Sequence, residues 1–153
     1  MSLHIASSAA AIMQTVDCVS AICGRGLEGD RYFHERGTYS NRPGNGRQIT
    51  LIESEAFQAL ERDYGIALAP AQARRNIVTC SVALNHLVGK EFRVGAVLLR
   101  GMRLCDPCAH LERLSVAGAL RGLIHRGGLR ADVLSDGPIR VGDAITVASA
   151  SAS

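Results

Sequence analysis

Aromatic residues are scarce in this chain of 153 residues, which contains no Trp and only three Phe and three Tyr. Any hydrophobic core must therefore be built mainly from aliphatic side chains, and the hydrophobic fraction of 47% is large enough to supply one. That fraction also excludes a largely disordered chain. No apolar run approaches the roughly 18 residues that a membrane span needs. The short run Ala9–Met13 has no basic segment before it, so no secretory signal is expected either.

Lysine is almost absent, because Lys90 is the only one among 17 basic residues and the others are all Arg. The net charge of +3 is modest, and the arginines form no basic stripe of the nucleic-acid-binding kind. Arginine binds phosphate and other oxyanions bidentately, which leaves an anion site open. A GC-rich genome raises the Arg content in the same way, so only the positions of the arginines can support a functional role.

The five cysteines are odd in number and unevenly spaced. This pattern favours reduced thiols in a cytoplasmic protein over a disulfide framework. Cys18, Cys23 and Cys80 lie on or beside apolar runs and are predicted to be core residues. The remaining two cysteines, Cys105 and Cys108, stand three residues apart and form a separate case.

Short runs with strand character dominate the chain and are separated by glycine turns. They cover Leu3–Ser7, Thr15–Ala21, Gln48–Ile52, Ile77–Cys80, Phe92–Val94, Gly95–Leu104, Leu129–Leu134, Ile139–Val141 and Ala144–Val147. We expect Gly95 and Gly101 to mark turns or bulges. Arg74 and Arg75 lead into the fourth run, where adjacent side chains on a strand point to opposite faces.

One clear helix is predicted from Ser54, as a possible N-cap, to about Tyr64. Phe57, Leu60 and Tyr64 share a face that is expected to be buried, and Gly65 stands where the helix should stop. The sequence therefore predicts a mostly β, α+β fold, a closed or partly closed β-barrel with a few helical insertions. It forms a single domain over residues 1–148, with residues 149–153 as a disordered tail.

The stretch Leu104–Leu111 carries the strongest chemical signal. A predicted strand leads into Cys105-Asp106-Pro107-Cys108, and a predicted helix begins at about Ala109. A thiol at such a junction can be partly exposed and can feel the helix N-terminus, which favours the reactive thiolate. A buried structural cysteine, a Cys-x-x-Cys redox pair and half of a zinc site are the alternatives. With His110 so close, the stretch supplies no obvious complete zinc ligand set.

Five short motifs occur in a characteristic order. They are Gly26–Arg31, Arg75-Asn76-Ile77, Leu87-Val88-Gly89, Pro107-Cys108 and Ile139–Asp143. In this order the chain resembles a MOSC domain from about Ile5 to Val147. MOSC is the C-terminal module of molybdenum-cofactor sulfurases and also occurs as small free-standing bacterial proteins. Nothing here resembles the aminotransferase-like partner domain, so the free-standing type is expected.

The resemblance implies a MOSC-type β-barrel and a role in molybdenum-cofactor and sulfur chemistry. It marks Cys108, in the Pro-Cys motif, as the key residue. In the sulfurases a pyridoxal-phosphate domain abstracts sulfur from cysteine, and the MOSC cysteine is thought to accept it. In the amidoxime-reducing relatives a cysteine ligates molybdenum instead, and some bacterial members are linked to detoxifying N-hydroxylated bases. No pyridoxal phosphate is expected on this chain itself.

The resemblance therefore leaves three functions open. Cys108 carries sulfur as a persulfide or ligates molybdenum in the cofactor, the protein is a molybdenum-dependent reductase of N-hydroxylated substrates, or it is a non-catalytic adaptor for the cofactor or a partner. Whether the chain is an enzyme, of sulfurtransferase or molybdenum oxidoreductase type, is left open. Expected partners are a cysteine desulfurase-type sulfur donor or a molybdoenzyme acceptor, with no nucleic acid and no membrane. The oligomeric state is not predicted.

The site residues follow from these functions. His110 can supply positive charge beside Cys108, and Cys105 can resolve or protect a persulfide as a disulfide. The pterin of the molybdenum cofactor carries a phosphate, so fixed arginines and backbone N–H groups are expected to bind it. The candidate cofactor-binding residues are Gly29, Asp30, Arg31, Arg47, Arg75, Asn76 and Arg126. Asp30 can hold one of these arginines or simply cap the glycine-rich turn.

Overall fold

The computed structural model describes residues 2–6, 13–30, 48–105 and 126–147. Within these ranges the chain is mostly β, as the sequence predicted. The strands are β1 (Ser2–Ile5), β2 (Gln14–Val16), β3 (Cys18–Ile22), β4 (Gly26–Leu27), β5 (Ile49–Glu53), β6 (Ile77–Thr79), β7 (Glu91–Val94), β8 (Val97–Leu104), β9 (Leu129–Val133), β10 (Gly137–Arg140) and β11 (Ile145–Val147). The helix is α1 (Ser54–Tyr64), and 3-10 helices span Pro70–Ala73 and Leu84–Leu87. The helix predicted from about Ala109 and the tail 149–153 lie outside the described residues.

The strands form two sheets. Eight strands follow the order β11-β7-β8-β9-β5-β6-β1-β2, and three follow the order β10-β3-β4. The strand pairs are antiparallel apart from β5 and β6, which run parallel. A parallel pair needs a long crossover connection, and the segment that contains α1 supplies it. In the part of the chain that the structure describes, the two sheets do not close into one ring, so the barrel is the partly closed form.

Helix α1 ends where predicted, because its last residue is Tyr64 and Gly65 takes the left-handed conformation with φ 65°. Its N-terminus differs from the prediction. Glu53 occupies the N-cap position without a side-chain hydrogen bond, and Ser54 is the first helical residue. Leu60 is buried as expected, whereas Tyr64 is 47% exposed, so its assignment to the core was wrong.

Two hydrophobic clusters lie on opposite faces of the large sheet. The main one contains the inward side chains of β9, namely Leu129, Ala131 and Val133, together with Phe92 as the one aromatic residue among its described members. The smaller one lies under α1 and consists of Ile52, Ala56, Leu60, Leu68, Ala73 and Val78. Both are aliphatic cores of the kind that the composition predicted. The smaller cluster reaches along α1 only to Leu60, which explains the exposure of the last helical turn.

The prediction of core positions for three cysteines was wrong, because Cys18, Cys23 and Cys80 are all exposed. Strand β3 alternates, with Val19 and Ala21 facing inward, and this places Cys18 on the outer side. Cys23 and Cys80 each follow the last residue of a strand, where the chain turns to the surface. An apolar run does not by itself indicate that every residue in it is buried, because a strand in an antiparallel sheet commonly buries only one face.

The structure contradicts one local prediction and confirms two others. The run Thr15–Ala21 is broken at Asp17 into β2 and β3, which belong to different sheets. Arg74 and Arg75 lead into β6, as predicted, and Arg74 has a positive φ of 58°. Gly101 marks a bulge in β8, as predicted, since the register shifts between Gly101 and Arg103.

Candidate functional site

Only part of the predicted site falls within the described residues. Cys108, His110, Arg31 and Arg47 lie outside them. The described members are Gly29, Asp30, Arg75, Asn76, Cys105 and Arg126. Their contacts show which of these residues the fold brings together.

Cys105 is the first residue after β8 and is buried, with 1% of its surface exposed. Its backbone N–H donates to the carbonyl oxygen of Gly128 at 2.7 Å. This bond continues the β8–β9 ladder by one rung, because Leu104 pairs with Leu129. The chain therefore leaves β8 at Cys105 and re-enters the sheet at Gly128, just before β9. We call this hydrogen-bonded pair of residues the Cys105–Gly128 base. A thiol buried at such a base has little access to solvent oxidants, and the resolving role of Cys105 stays a prediction.

Gly128 crosses β5 at very close range. Its φ is 106°, and a Cβ at this position would collide with the carbonyl oxygen of Leu51. Only glycine combines this backbone conformation with such an approach. The glycine at position 128 therefore allows β9 to start in close contact with β5.

Arg75 reaches the same turn from the start of β6. Its Nε donates to the carbonyl oxygen of Gly127 at 2.8 Å, and its Nη1 donates to that of Ala73 at 3.3 Å. The side chain is buried, with 7% of the residue exposed. Within the described ranges Arg75 forms no ion pair, so its positive charge is held by neutral carbonyl groups. A desolvated guanidinium in this state is a ready partner for an anion.

Asn76 joins three strands through its side-chain amide. Its Oδ1 accepts hydrogen bonds from the N–H of Thr50 at 3.0 Å and from the Oγ1 hydroxyl of Thr50 at 3.1 Å. Its Nδ2 donates to the carbonyl oxygen of His4 at 3.1 Å. With 1% exposure, Asn76 is a buried link between β1, β5 and β6. A role toward the cofactor stays a prediction.

The glycine-rich turn is fixed to the end of β1. Asp30 is fully buried, and its Oδ1 accepts a hydrogen bond from the N–H of Ala6 at 3.1 Å. Its own N–H donates to Leu27, which closes the turn. Gly29 has a φ of 89° and lies against the side chain of Ile5. These contacts fix the turn to β1, and the predicted role of Asp30 toward an arginine stays a prediction.

Arg126 is directed to the C-terminal end of α1. Its Nη1 lies 3.6 Å from Oδ2 of Asp63, and both side chains are 40% exposed. The pKa of Asp63 is lowered, chiefly by the hydrogen bond from Arg62 and less by Arg126. Arg126 directly precedes Gly127, whose carbonyl oxygen accepts the hydrogen bond from Arg75, and a contact of Arg126 with an anion stays a prediction.

Sequence reasoning missed His4, which is buried with 2% of its surface exposed and whose carbonyl oxygen accepts the hydrogen bond from Asn76. Its Nε2 lies 2.7 Å from Oγ of Ser2, and its Nδ1 lies 3.1 Å from Oγ1 of Thr15. Burial lowers the pKa of His4. The alternation of β1, with Leu3 in the main core, indicates only that His4 faces the other way. Its burial depends on strands that come later in the chain.

Among the described residues, no group of three or more His, Cys, Asp and Glu side chains is arranged to hold a metal ion. No helix in this part of the chain is long and apolar enough to cross a membrane. The described elements therefore supply two neighbouring buried arginines, Arg74 and Arg75, and the pair of strands that the chain leaves at Cys105 and rejoins near Arg126.

A family model for the MOSC domain matches residues 38–146. The fold is similar to the crystal structure of the YuaD protein from Bacillus subtilis, with a TM-score of 0.79 at 19% identity over 95% of this chain and 92% of the other. It is also similar to YiiM from Geobacillus stearothermophilus, with a TM-score of 0.70 at 16% identity over 96% and 73%. For YiiM from Escherichia coli the TM-score is 0.67 at 19% identity over 97% and 70%. A search of curated protein sequences finds no match.

Proposed function

The chain belongs to the MOSC domain family, and from this premise we propose that it acts in molybdenum-cofactor chemistry by carrying sulfur on Cys108. Family membership supports a domain related to the molybdenum cofactor. The persulfide and the identity of the carrier cysteine are the further steps of the proposal. It assumes a cytoplasmic setting, because thiols stay reduced there.

The transfer uses the thiolate of Cys108 as nucleophile. The thiolate attacks the terminal sulfur of a donor persulfide, a new S–S bond forms on Cys108, and the donor leaves as a thiolate. An acceptor thiolate or an equivalent nucleophile then takes the terminal sulfur and releases the Cys108 thiolate. No external oxidant is needed, because the sulfane sulfur keeps its oxidation state. The donor class is a cysteine desulfurase-type protein, and the acceptor is a cysteine thiolate of a molybdoenzyme, on which the sulfur again forms a persulfide.

The burial of Arg75 is the observation that supports binding of an anionic cofactor. Its guanidinium is buried, forms no ion pair within the described ranges, and is anchored on Gly127 next to the Cys105–Gly128 base. Cys108 is three residues beyond Cys105, so covalent geometry keeps the two Cα atoms within about 11 Å. A fixed cation near this base suits the pterin phosphate of the molybdenum cofactor. Among the described residues, Arg75 fits this phosphate and would bind it.

This same observation favours a second candidate, a molybdenum-dependent reductase of N-hydroxylated substrates. A sulfur carrier needs only a reactive thiolate, whereas a protein that keeps the cofactor needs a fixed cation for its phosphate. In that case Cys108 is the soft thiolate ligand that molybdenum prefers. When bound, the cofactor supplies the two-electron chemistry, and the chain supplies Cys108 and Arg75 to hold and orient it.

The test is intact-protein mass spectrometry combined with metal analysis, on protein purified anaerobically from a molybdenum-replete host. An added mass of about 32 Da that reductant removes and that Cys108→Ser abolishes supports persulfide carriage. Cys18→Ser is the matched control, because Cys18 is also a thiol and is exposed on β3. An equal loss of the added mass in that variant would refute a specific role for Cys108.

Molybdenum near one atom per chain, lost in Cys108→Ser and in Arg75→Gln, would instead support the reductase. Binding of cofactor that survives Cys108→Ser but not Arg75→Gln would support the non-catalytic adaptor. Thermal unfolding of Arg75→Gln must accompany this experiment, since the variant also loses its hydrogen bond to Gly127.

A further inference from the structure

A cleft lies between helix α1 and the segment of chain that follows it. Phe57 and Glu61 of α1 line one side, one helical turn apart, and residues 67–69 line the other. The volume of this α1 cleft is about 400 Å³. Small-molecule sites in proteins typically measure about 300–1,000 Å³ and combine a mainly apolar lining with a few polar groups. The α1 cleft has this size and this kind of lining.

Hydrogen bonds and packing hold the second wall of the cleft in place. The N–H of Gly65 donates to the carbonyl oxygen of Glu61 at 2.9 Å, which ends α1 and turns the chain back along it. Further along, Oε1 of Gln72 accepts a hydrogen bond from the N–H of Ala69 at 2.8 Å. Leu68 lies between these two points and is buried in the smaller hydrophobic cluster. The cleft is therefore formed before any ligand binds.

Among the described residues that line the cleft, Glu61 is the one charged side chain. It is exposed, and its carboxylate forms no ion pair within the described ranges. The neighbouring Arg62 is instead held by Asp63 at 2.8 Å, and Arg126 also reaches Asp63. The carbonyl groups at the C-terminal end of α1 add partial negative charge, which favours cations there. The cleft is thus negative in a chain whose net charge is +3.

We propose that the α1 cleft binds a small organic cation, an ammonium group carried on an apolar body. Residues four apart on a helix are neighbours on its surface, so the ring of Phe57 lies beside the carboxylate of Glu61. An aromatic ring attracts a cation, and the carboxylate pairs with its charge. A neutral ligand would gain nothing from Glu61, and an anion would be repelled by it. The proposal does not depend on the chemistry of Cys108.

The test titrates the full chain with phenethylammonium and with its neutral isostere, phenethyl alcohol, and follows backbone amide shifts by NMR. Concentrations on the order of 1–10 mM are needed, because ligands of this size bind weakly. We expect shifts in the second half of α1 and in residues 66–72, and an affinity about twofold to fivefold higher for the ammonium. Glu61→Gln is expected to remove this preference. Glu91→Gln is the matched control and should keep it, since Glu91 is exposed on β7, which β8 and β9 separate from β5.

Phe57→Leu is expected to weaken binding of the ammonium about twofold to fivefold. Thermal unfolding must accompany this variant, because Phe57 packs against the smaller cluster. Equal affinity for the ammonium and the alcohol, equal weakening by the two Gln variants, or shifts confined to other parts of the chain would each overturn the proposal. Tighter binding of a lysine-rich peptide, with the same sensitivity to Glu61→Gln, would overturn it in favour of a protein partner.

Discussion

Replacing Asn76 with alanine is expected to destabilise the fold out of proportion to the size of the side chain. The amide of Asn76 is the acceptor for the N–H of Thr50 and the donor to the carbonyl oxygen of His4, and the site is 1% exposed. The substitution leaves these two buried backbone groups without their side-chain partner. A group stranded in this way costs about 1–3 kcal/mol, so we expect a loss of about 2–4 kcal/mol in the free energy of unfolding.

Thermal unfolding followed by circular dichroism measures this loss. For a chain of this size, about 2–4 °C in Tm corresponds to each kcal/mol, so Asn76→Ala is expected to lower Tm by about 5–15 °C. Asn76→Asp keeps the acceptor oxygens but loses the donor to His4 and buries a charge. Its loss at neutral pH is therefore expected to be at least as large.

Thr50→Val provides the matched comparison, because it removes both contacts of Oγ1 with Asn76, each at 3.1 Å, and leaves the hydrogen bond from the Thr50 N–H to Asn76 in place. It is expected to cost about 1 kcal/mol. Since the two residues touch, the double variant should lose less than the sum of the single losses. A Tm of Asn76→Ala within about 1 °C of the wild type would refute the idea that this amide holds β1, β5 and β6 together.

Two further predictions concern backbone approach and pH. Gly128→Ala is expected to destabilise far more than Gly142→Ala, because both positions have positive φ but only the first has a backbone carbonyl in the way; urea unfolding of the two variants decides this, and equal losses would contradict it. Burial holds the pKa of His4 below its ordinary 6.5, so the unfolded chain binds the proton first and stability falls as pH drops below about 6.5. Unfolding free energies at neutral and mildly acidic pH should show a smaller fall for His4→Gln, whereas His86→Gln, at an exposed site, should keep the wild-type profile.

Local features of the fold could be predicted from the sequence where residues close together in the chain determine them. The apolar period and Gly65 located α1, because a helix is closed by bonds among near neighbours and ends where glycine takes the left-handed conformation. The bulge at Gly101 was also found. The position of Cys18 was predicted wrongly, since an apolar run does not show which face of a strand packs against a second sheet.

The contacts of the candidate site could not be predicted, because they join distant parts of the chain. The hydrogen bond from Arg75 to Gly127 spans 52 residues, and that from Asn76 to His4 spans 72. Arg75 and Asn76 were selected through the resemblance to a family, whereas their buried partners depend on the strand order. His4 was missed for the same reason.

The pairing of β3 with β10 has a consequence for how this protein is made. The backbone N–H of Cys23, just after β3, donates a hydrogen bond to Oδ1 of Asp136, just before β10. The two residues are 113 positions apart in the sequence. A ribosome releases β3 and β4 long before it has synthesised β10, so β3 waits with one edge unpaired. An open strand edge invites pairing with other chains, and such non-local pairing is slow. Recovery of folded protein from cells is thus expected to depend on how well that edge is shielded during synthesis, as well as on the stability of the finished fold.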